Sequence, residues 1–182
     1  MFRGSLVALV TPFDADNRVD FAALKRLIDF HAAQGSDGLV IAGTTGESAT
    51  LEKSEHEALI RRAVEIADGR LPIIAGTGSN STAQSIALSQ AVEDAGIEAY
   101  LLVVPYYNKP MQEGLYRHFT AIADAVSKPV ILYNVPGRTV ADMLPETVGR
   151  LAQHDNIVGI KEATGNIERL RAIRELVDDN FS

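Results

Sequence analysis

Six apolar, strand-like runs alternate with six segments of helical period along this chain of 182 residues. This alternation is the strongest constraint on the fold, because successive βα units give a parallel sheet joined by crossover helices. We expect strands near residues 5–11, 38–43, 72–76, 98–104, 129–134 and 156–161. We expect helices near residues 20–34, 53–68, 81–94, 111–126, 145–153 and 166–178. No linker divides the chain, so the sequence predicts one α/β domain over residues 1–182.

Residues at the predicted helix ends support these boundaries. Asp20 can cap the first helix, and Gly35 and Gly69 follow the ends of the first two helices. Residues 81–84 read Ser-Thr-Ala-Gln, which predicts a capping box at the start of the third helix. Pro145 suits the first position of the fifth helix, where its missing N–H costs nothing.

Such a sheet can stay open, as in a doubly wound fold, or close into a (β/α)8 TIM barrel. No Gly-x-Gly-x-x-Gly follows the first strand, which weakens the dinucleotide-binding form of the open sheet. A complete barrel needs eight βα units and roughly 250 residues, whereas a seventh strand would only be starting at residues 180–182. We therefore expect a partial TIM-barrel catalytic domain with about six βα units and its carboxyl-terminal part absent. Its open sheet edge and apolar helix faces would leave it poorly stable and nearly inactive alone.

Composition narrows the possible partners and cofactors. The net charge of −7 argues against a nucleic-acid or anionic-membrane partner. The chain has no cysteine, so it has neither disulfides nor thiolate metal sites. Its four histidines do not cluster with carboxylates, and no apolar run approaches the length of a membrane span. We expect a cytoplasmic protein with no metal and no cofactor.

Lys161 stands at the carboxyl end of the last predicted strand, which is the catalytic edge of a barrel. Strand alternation puts it on one face with Ile157 and Gly159, while Val158 and Ile160 share the other face. If the apolar face lies under helices, the lysine points inward, with Gly159 leaving room beneath it. Desolvation would then lower the pKa of the amine and let it attack a carbonyl to form a Schiff base. The alternative is a lysine that ends a strand and reaches water.

Other reactive residues follow the remaining strand ends. Residues 43–48 form a glycine-flanked loop that could cradle a small anion such as a carboxylate, or serve as a plain turn. Residues 105–110 place two tyrosines between prolines, a pattern that taken alone is more typical of rigid packing than of a functional site. Tyr133 shares the inward parity of its strand, so its phenol would face Lys161 or make one buried hydrogen bond. Arg138 follows closely and could also be a surface charge.

Four of these segments together are far more specific than any one of them. Gly-Thr-Thr-Gly-Glu, Tyr-Tyr-Asn-Lys-Pro, Tyr-Asn-Val-Pro-Gly-Arg-Thr and Ile-Lys-Glu-Ala-Thr-Gly occur in this order on consecutive strand ends. Their combination closely resembles the 4-hydroxy-tetrahydrodipicolinate synthases, also called dihydrodipicolinate synthases. These enzymes are class I pyruvate aldolases of the N-acetylneuraminate lyase superfamily. The resemblance runs from Ser5 to the end of the chain.

The resemblance implies catalytic roles for four residues. Lys161 matches the lysine that forms a Schiff base with pyruvate. Tyr133 matches the tyrosine that shuttles protons during imine formation and cyclisation. Thr44 matches the threonine that links this tyrosine to a second tyrosine. Tyr107 matches the second tyrosine, which in the family reaches in from a neighbouring subunit of a homotetramer.

The resemblance also implies two substrate-binding residues. Thr45 matches the residue that holds the pyruvate carboxylate through its hydroxyl and backbone N–H. Arg138 matches the arginine that receives the carboxylate of L-aspartate 4-semialdehyde. The reaction would be the condensation of these two substrates in lysine and diaminopimelate biosynthesis.

A possible regulatory site is implied as well. Positions lining the lysine-binding cleft of lysine-sensitive members are matched by Ser48, Ala49, His56, Asn80 and Tyr106. Two positions depart from that pattern. Lys53 stands where lysine-sensitive members often carry histidine, and Gln84 stands where they often carry glutamate. Replacement of the glutamate removes a carboxylate that could pair with the amino group of the effector, so we expect weak lysine feedback or none.

Two other functions stay open at this point. The chain could be another pyruvate-dependent Schiff-base aldolase of the same superfamily, or an inactive barrel fragment that acts through association with other chains. Arg138 after Val-Pro-Gly and the run of residues 106–109 favour the synthase.

Overall fold

The computed structural model describes residues 2–182, and their strands agree with the prediction. All six predicted strands are confirmed, with ends within a few residues of those expected. They are β1 (Leu6–Ala8), β2 (Gly38–Ile41), β3 (Ile73–Gly76), β4 (Ala99–Val103), β5 (Val130–Asn134) and β6 (Ile157–Glu162).

Helices alternate with these strands. They are α1 (Phe21–Ala33), α2 (Lys53–Ala67), α3 (Thr82–Ala91), α4 (Gln112–Asp124), α5 (Pro136–Thr139), α6 (Pro145–Leu151) and α7 (Ile167–Arg174). Six of them were predicted, and the four-residue α5 was not. Among residues 2–182, no helix combines the length and the apolar character that crossing a bilayer requires.

The strands form one sheet in the order β1-β2-β3-β4-β5-β6. Pairing is parallel between β1 and β2, between β2 and β3, and between β5 and β6. Parallel strands bring their carboxyl ends to the same edge of a sheet. In the β5–β6 register, Tyr133 lies opposite Lys161 and Asn134 lies opposite Glu162.

The chain divides into two compact units, each with its own buried apolar residues. The first unit comprises Arg3–Thr77 and Leu88–Tyr100, and the second comprises Gly78–Ala87 and Leu101–Ser182, together with Phe2. In the first, apolar side chains of α1, α2 and β2 are almost fully buried, among them Leu24, Ile28, Leu39, Leu59 and Ile60. In the second, the same holds for Leu102, Leu115, Phe119, Ile122 and Leu132. The single catalytic domain over residues 1–182 stays a prediction.

Most predicted helix caps are present, and one differs in detail. The Asp20 carboxylate accepts from the Ala23 N–H at 2.8 Å, and Pro145 opens α6. The backbone N–H of Gln84 donates to the Ser81 hydroxyl at 3.3 Å, which is half of the predicted capping box. The side chain of Gln84 does not complete the box, because its Oε1 accepts from the hydroxyl of Ser79 at 3.3 Å.

Candidate active site

Lys161 and Tyr133 lie side by side at the carboxyl ends of β6 and β5. The two residues are opposite each other in the register, and the Lys161 Nζ is 4.7 Å from the centroid of the Tyr133 ring. Tyr133 is buried, with 6% of its surface exposed. The phenol therefore faces Lys161, as strand parity predicts, and the ammonium lies against a ring that attracts cations.

Desolvation shifts the Lys161 side chain towards its neutral form. The residue is exposed at the strand end, yet the packing around its side chain is enough for desolvation to lower its pKa from the ordinary lysine value. A lower pKa raises the fraction of neutral amine at a given pH, and only the neutral amine attacks a carbonyl. The arrangement is suited to Schiff-base formation.

Gly159 lies against the main chain of Ser182, a contact that the sequence did not predict. A Cβ atom at Gly159 would lie 2.8 Å from the backbone oxygen of Ser182. Ser182 pairs with the outer edge of β6, accepting from the Ile160 N–H and donating to the Val158 oxygen, each at 2.9 Å. The space beside Gly159 is therefore filled by main chain, so glycine is required for close backbone approach.

Arg138 lies on α5, immediately after β5, and its side chain is exposed. The next residue, Thr139, is buried, and its hydroxyl contacts the backbone oxygens of Val135 and Ala141 at 3.2 and 2.8 Å. Val140 then adopts φ 65° and ψ −37°, a conformation that a β-branched residue rarely takes, and it is 64% exposed. The segment thus holds the guanidinium of Arg138 at the surface on a tightly bonded turn.

Tyr107 scarcely packs against its own chain. It is 89% exposed and has a φ of 72°, whereas the neighbouring Tyr106 is half-buried. The Asn108 side chain donates to the backbone oxygen of Asn80 at 3.0 Å, which fixes the end of this turn. A tyrosine presented in this way is available to another molecule.

The loop of residues 43–48, in the first unit, is a defined turn. The hydroxyl of Thr11 donates to the Gly46 oxygen at 2.6 Å, and the Glu47 N–H donates to the Thr44 oxygen at 3.1 Å. A Cβ atom at Gly46 would lie 3.0 Å from the Leu9 oxygen, so the close packing of this turn favours glycine. The side chains of Thr44 and Thr45 are exposed.

The five residues matched to a regulatory cleft differ in their surroundings. His56 is buried on α2, and its Nε2 lies 2.8 Å from the Gly76 oxygen. Burial lowers the pKa of His56, and the bond to Gly76 opposes that shift in part. Ser48, Asn80 and Tyr106 are half-buried, and Ala49 is exposed.

A polar cluster beside Lys161 was missed from the sequence. Its members are Asn134 on β5, Glu162 on β6, Asp142 between α5 and α6, and Arg169 on α7. Glu162 stands in the motif that contains Lys161, and Asn134 and Asp142 come from other parts of the chain. The available signal was a carboxylate directly after Lys161, which strand alternation puts on the face opposite to Lys161.

The family model of the dihydrodipicolinate synthetase family matches residues 1–182 of this chain. The chain belongs to the dihydrodipicolinate synthetase family. It is 59% identical over 182 residues to the 4-hydroxy-tetrahydrodipicolinate synthase of Methylococcus capsulatus, covering 100% of this chain and 62% of that protein. The chain therefore spans less than two thirds of the length of this curated relative.

Solved structures of the dihydrodipicolinate synthetase family agree with this assignment. The chloride-inhibited enzyme of Acinetobacter baumannii, complexed with pyruvate, has a TM-score of 0.93 and 50% identity, covering 97% of this chain and 62% of that one. The enzyme of Cyanidioschyzon merolae with lysine bound has a TM-score of 0.94 and 44% identity, covering 98% of this chain and 62% of that one. These matches confirm the predicted family and the predicted TIM-barrel fold class, here with six βα units.

Proposed function

We propose that this chain carries the Schiff-base machinery of a 4-hydroxy-tetrahydrodipicolinate synthase, a lyase that condenses pyruvate with L-aspartate 4-semialdehyde. The observation that supports this most directly is Lys161, with its lowered pKa, next to the buried Tyr133. Relatives more than half identical carry the name of this enzyme. No cofactor is needed, because the lysine itself serves as the covalent electron sink.

The first chemical step is imine formation at Lys161. The neutral amine attacks the ketone carbon of pyruvate, and the resulting carbinolamine loses water to give a protonated imine. Each stage needs a proton moved to or from oxygen or nitrogen, and the phenol of Tyr133 is the nearby group that can carry it. The imine then withdraws electrons from the methyl group, which loses a proton to give an enamine.

The second step joins the two substrates. The enamine carbon attacks the aldehyde carbon of aspartate semialdehyde, and the aldehyde oxygen takes up a proton. The amino group of that substrate then attacks the imine carbon, which closes the ring and releases Lys161 as the free amine. Tyr133 is again the proposed proton carrier.

Both substrates carry a carboxylate, although the chain has a net charge of −7. Local donors must therefore bind them. We assign the pyruvate carboxylate to the hydroxyl and backbone N–H of Thr45. We assign the carboxylate of aspartate semialdehyde to Arg138, whose exposed guanidinium can bind a carboxylate through two N–H groups.

Assembly and location belong to the same proposal. A homotetramer would let Tyr107 of one subunit act in the site of its neighbour, with Thr44 linking Tyr107 to Tyr133. The 89% exposure of Tyr107 supports a role outside its own chain. We also propose that the protein works in the cytoplasm, in lysine and diaminopimelate biosynthesis.

Substrate profiling tests the proposed reaction. The natural polypeptide that contains these residues is purified and supplied with pyruvate and, in turn, with aspartate semialdehyde, N-acetylmannosamine and short sugar aldehydes. Formation of the cyclic product or of an aldol is measured. We expect turnover with aspartate semialdehyde at least tenfold above that with any other aldehyde. A preference for a sugar aldehyde would instead identify another pyruvate-dependent aldolase.

We expect Arg138→Ala to impair use of aspartate semialdehyde while pyruvate capture stays nearly intact. Loss of a charge-assisted, two-point contact to a carboxylate should lower kcat/KM for the aldehyde about tenfold to a hundredfold. The measurements are steady-state kinetics in each substrate and borohydride trapping of pyruvate. Equal losses in both would indicate a structural role for Arg138.

We expect L-lysine at micromolar concentration to leave the activity unchanged. Lys53 and Gln84 are exposed and replace groups that the resemblance associates with effector binding, and Gln84 offers no charge to the lysine amino group. Dose–response curves with lysine test this. Gln84→Glu should lower the lysine concentration that inhibits, and strong inhibition of the unmodified protein by micromolar lysine would contradict the prediction.

A further inference from the structure

One guanidinium joins two carboxylates beside the proposed catalytic lysine. Arg169 contacts both oxygens of Asp142, with its Nη2 and Nη1 at 2.8 and 3.1 Å, and its Nε lies 3.1 Å from Glu162 Oε2. The side chains of Arg169 and Glu162 are only 12% and 2% exposed. We call Asn134, Asp142, Glu162 and Arg169 the strand-end cluster.

Asn134 ties the two carboxylates to each other. Its side-chain nitrogen donates to Asp142 Oδ1 at 2.9 Å and to Glu162 Oε2 at 3.1 Å, and its side-chain oxygen accepts from the Met143 N–H at 3.0 Å. Asn134 is fully buried. Every polar atom of its side chain therefore has a partner within the cluster or the main chain next to it.

The cluster connects three parts of the second unit that each carry a proposed site residue. Asn134 directly follows Tyr133 on β5, and Glu162 directly follows Lys161 on β6. Asp142 lies at the far end of the segment that begins at α5 and holds Arg138. Arg169 is the charged member that bonds both to a strand, through Glu162, and to the segment, through Asp142.

The segment around Asp142 has a second attachment, which makes it a fixed arm. The Gln112 side chain of α4 donates to the Asp142 oxygen at 2.7 Å and accepts from the Leu144 N–H at 3.1 Å. Arg169 also donates to the backbone oxygen of Met143. Arg169 therefore holds this arm in two ways, through the carboxylate of Asp142 and through the main chain at Met143.

We propose that Arg169 is a positioning residue that sets the distance between Arg138 and the Lys161–Tyr133 pair. The inference rests on the proposed function, in which Arg138 holds one substrate and Lys161 holds the other. The new bond forms between these two substrates, so a shift of either anchor misplaces the reacting carbons. A misplacement of about 1 Å by a change away from the chemistry can lower the rate about a hundredfold.

The alternative is that the cluster only stabilises the fold. Removing one partner from a buried ion pair is destabilising in any protein, so loss of activity alone would not separate the two roles. The rate must be expressed per competent site. Pyruvate trapped by borohydride counts the chains whose Lys161 environment is intact, which supplies that normalisation.

The test compares Arg169→Gln, Arg169→Lys and Asp142→Asn in the natural polypeptide that contains these residues. Arg171→Gln is the matched control, since Arg171 lies on the same helix and pairs with the exposed Glu168. For Arg169→Gln we expect kcat/KM for aspartate semialdehyde, per trapped site, to fall tenfold or more, while the pyruvate concentration that half-saturates trapping changes less than twofold. Arg169→Lys should recover part of the loss, and the control should stay within twofold of the unmodified protein.

Asp142→Asn keeps the shape of the side chain and removes its charge. This variant tests the proposal if Arg169→Gln does not fold. It should lower the same per-site kcat/KM about fivefold or more. The proposal is overturned if the trapped sites decrease in number while the rate per site stays unchanged. It is also overturned if aldehyde and pyruvate use decline together. If the unmodified protein traps no pyruvate, the proposed function itself fails, and this inference fails with it.

Discussion

Borohydride reduction of the natural polypeptide that contains these residues, in the presence of pyruvate, should add one pyruvyl unit per chain, located on Lys161 by peptide mapping. Lys161→Ala and Lys161→Arg should take up none, and the arginine variant retains the positive charge beside the Tyr133 ring. The reason is that only a neutral amine next to a proton carrier forms the imine that borohydride reduces. Lys25→Ala is the control, because Lys25 is a surface lysine paired with Asp29.

The pH dependence of trapping follows from the direction of the pKa shift. Desolvation lowers the pKa of Lys161, so the neutral amine accumulates at a lower pH than for an ordinary lysine. The initial trapping rate should therefore rise with pH and level off before the range where exposed lysines titrate. Labelling that persists in Lys161→Ala would contradict the assignment of the Schiff base to Lys161. A trapping rate that keeps rising over the pH range in which surface lysines titrate would also contradict it.

Tyr133→Phe should lower kcat about 10²- to 10⁴-fold, the usual contribution of a positioned acid–base group. The variant keeps the buried ring and its contact with the Lys161 ammonium, and it removes only the hydroxyl. Thermal unfolding should stay close to that of the unmodified protein. The rate of pyruvate trapping should also fall, because imine formation itself needs proton transfer.

A small effect would favour a packing role for Tyr133. If kcat falls less than about threefold, well under the usual acid–base contribution, the ring matters and the hydroxyl does not. Tyr116 provides the comparison, since its ring contacts the Arg150 guanidinium at 4.0 Å. Tyr116→Phe should leave kcat unchanged within twofold.

The local sequence pattern was enough to predict the strands and the faces on which their side chains lie. Apolar runs fixed all six strands, and their two-residue period put Tyr133 and Lys161 on one face. Glycines and caps located the helix ends. The short helix α5 was not predicted, because Val-Pro-Gly is typical of a turn and four residues are too few to show a helical period.

The rest of the candidate site depends on contacts between distant segments. Asp142 and Arg169 are 27 residues apart, and Asn134 and Glu162 are 28 apart, so no local pattern links them. Position 159 is another case that depends on a distant segment. It requires glycine because Ser182, from the end of the chain, lies against the same strand. Strand parity places a side chain on a face, but tertiary packing decides which neighbour meets it.

Val140 has a consequence for the order in which the site forms during folding. A non-glycine residue in its conformation costs about 1–3 kcal/mol, so the local chain does not favour this turn. The turn is held by the buried Thr139 and by bonds from Gln112 and Arg169, which become available only once α4 and α7 have docked. We therefore expect the turn bearing Arg138 to be acquired late, after β5 and β6 have paired. A nascent chain would then gain its nucleophile before it gains the means to choose the second substrate.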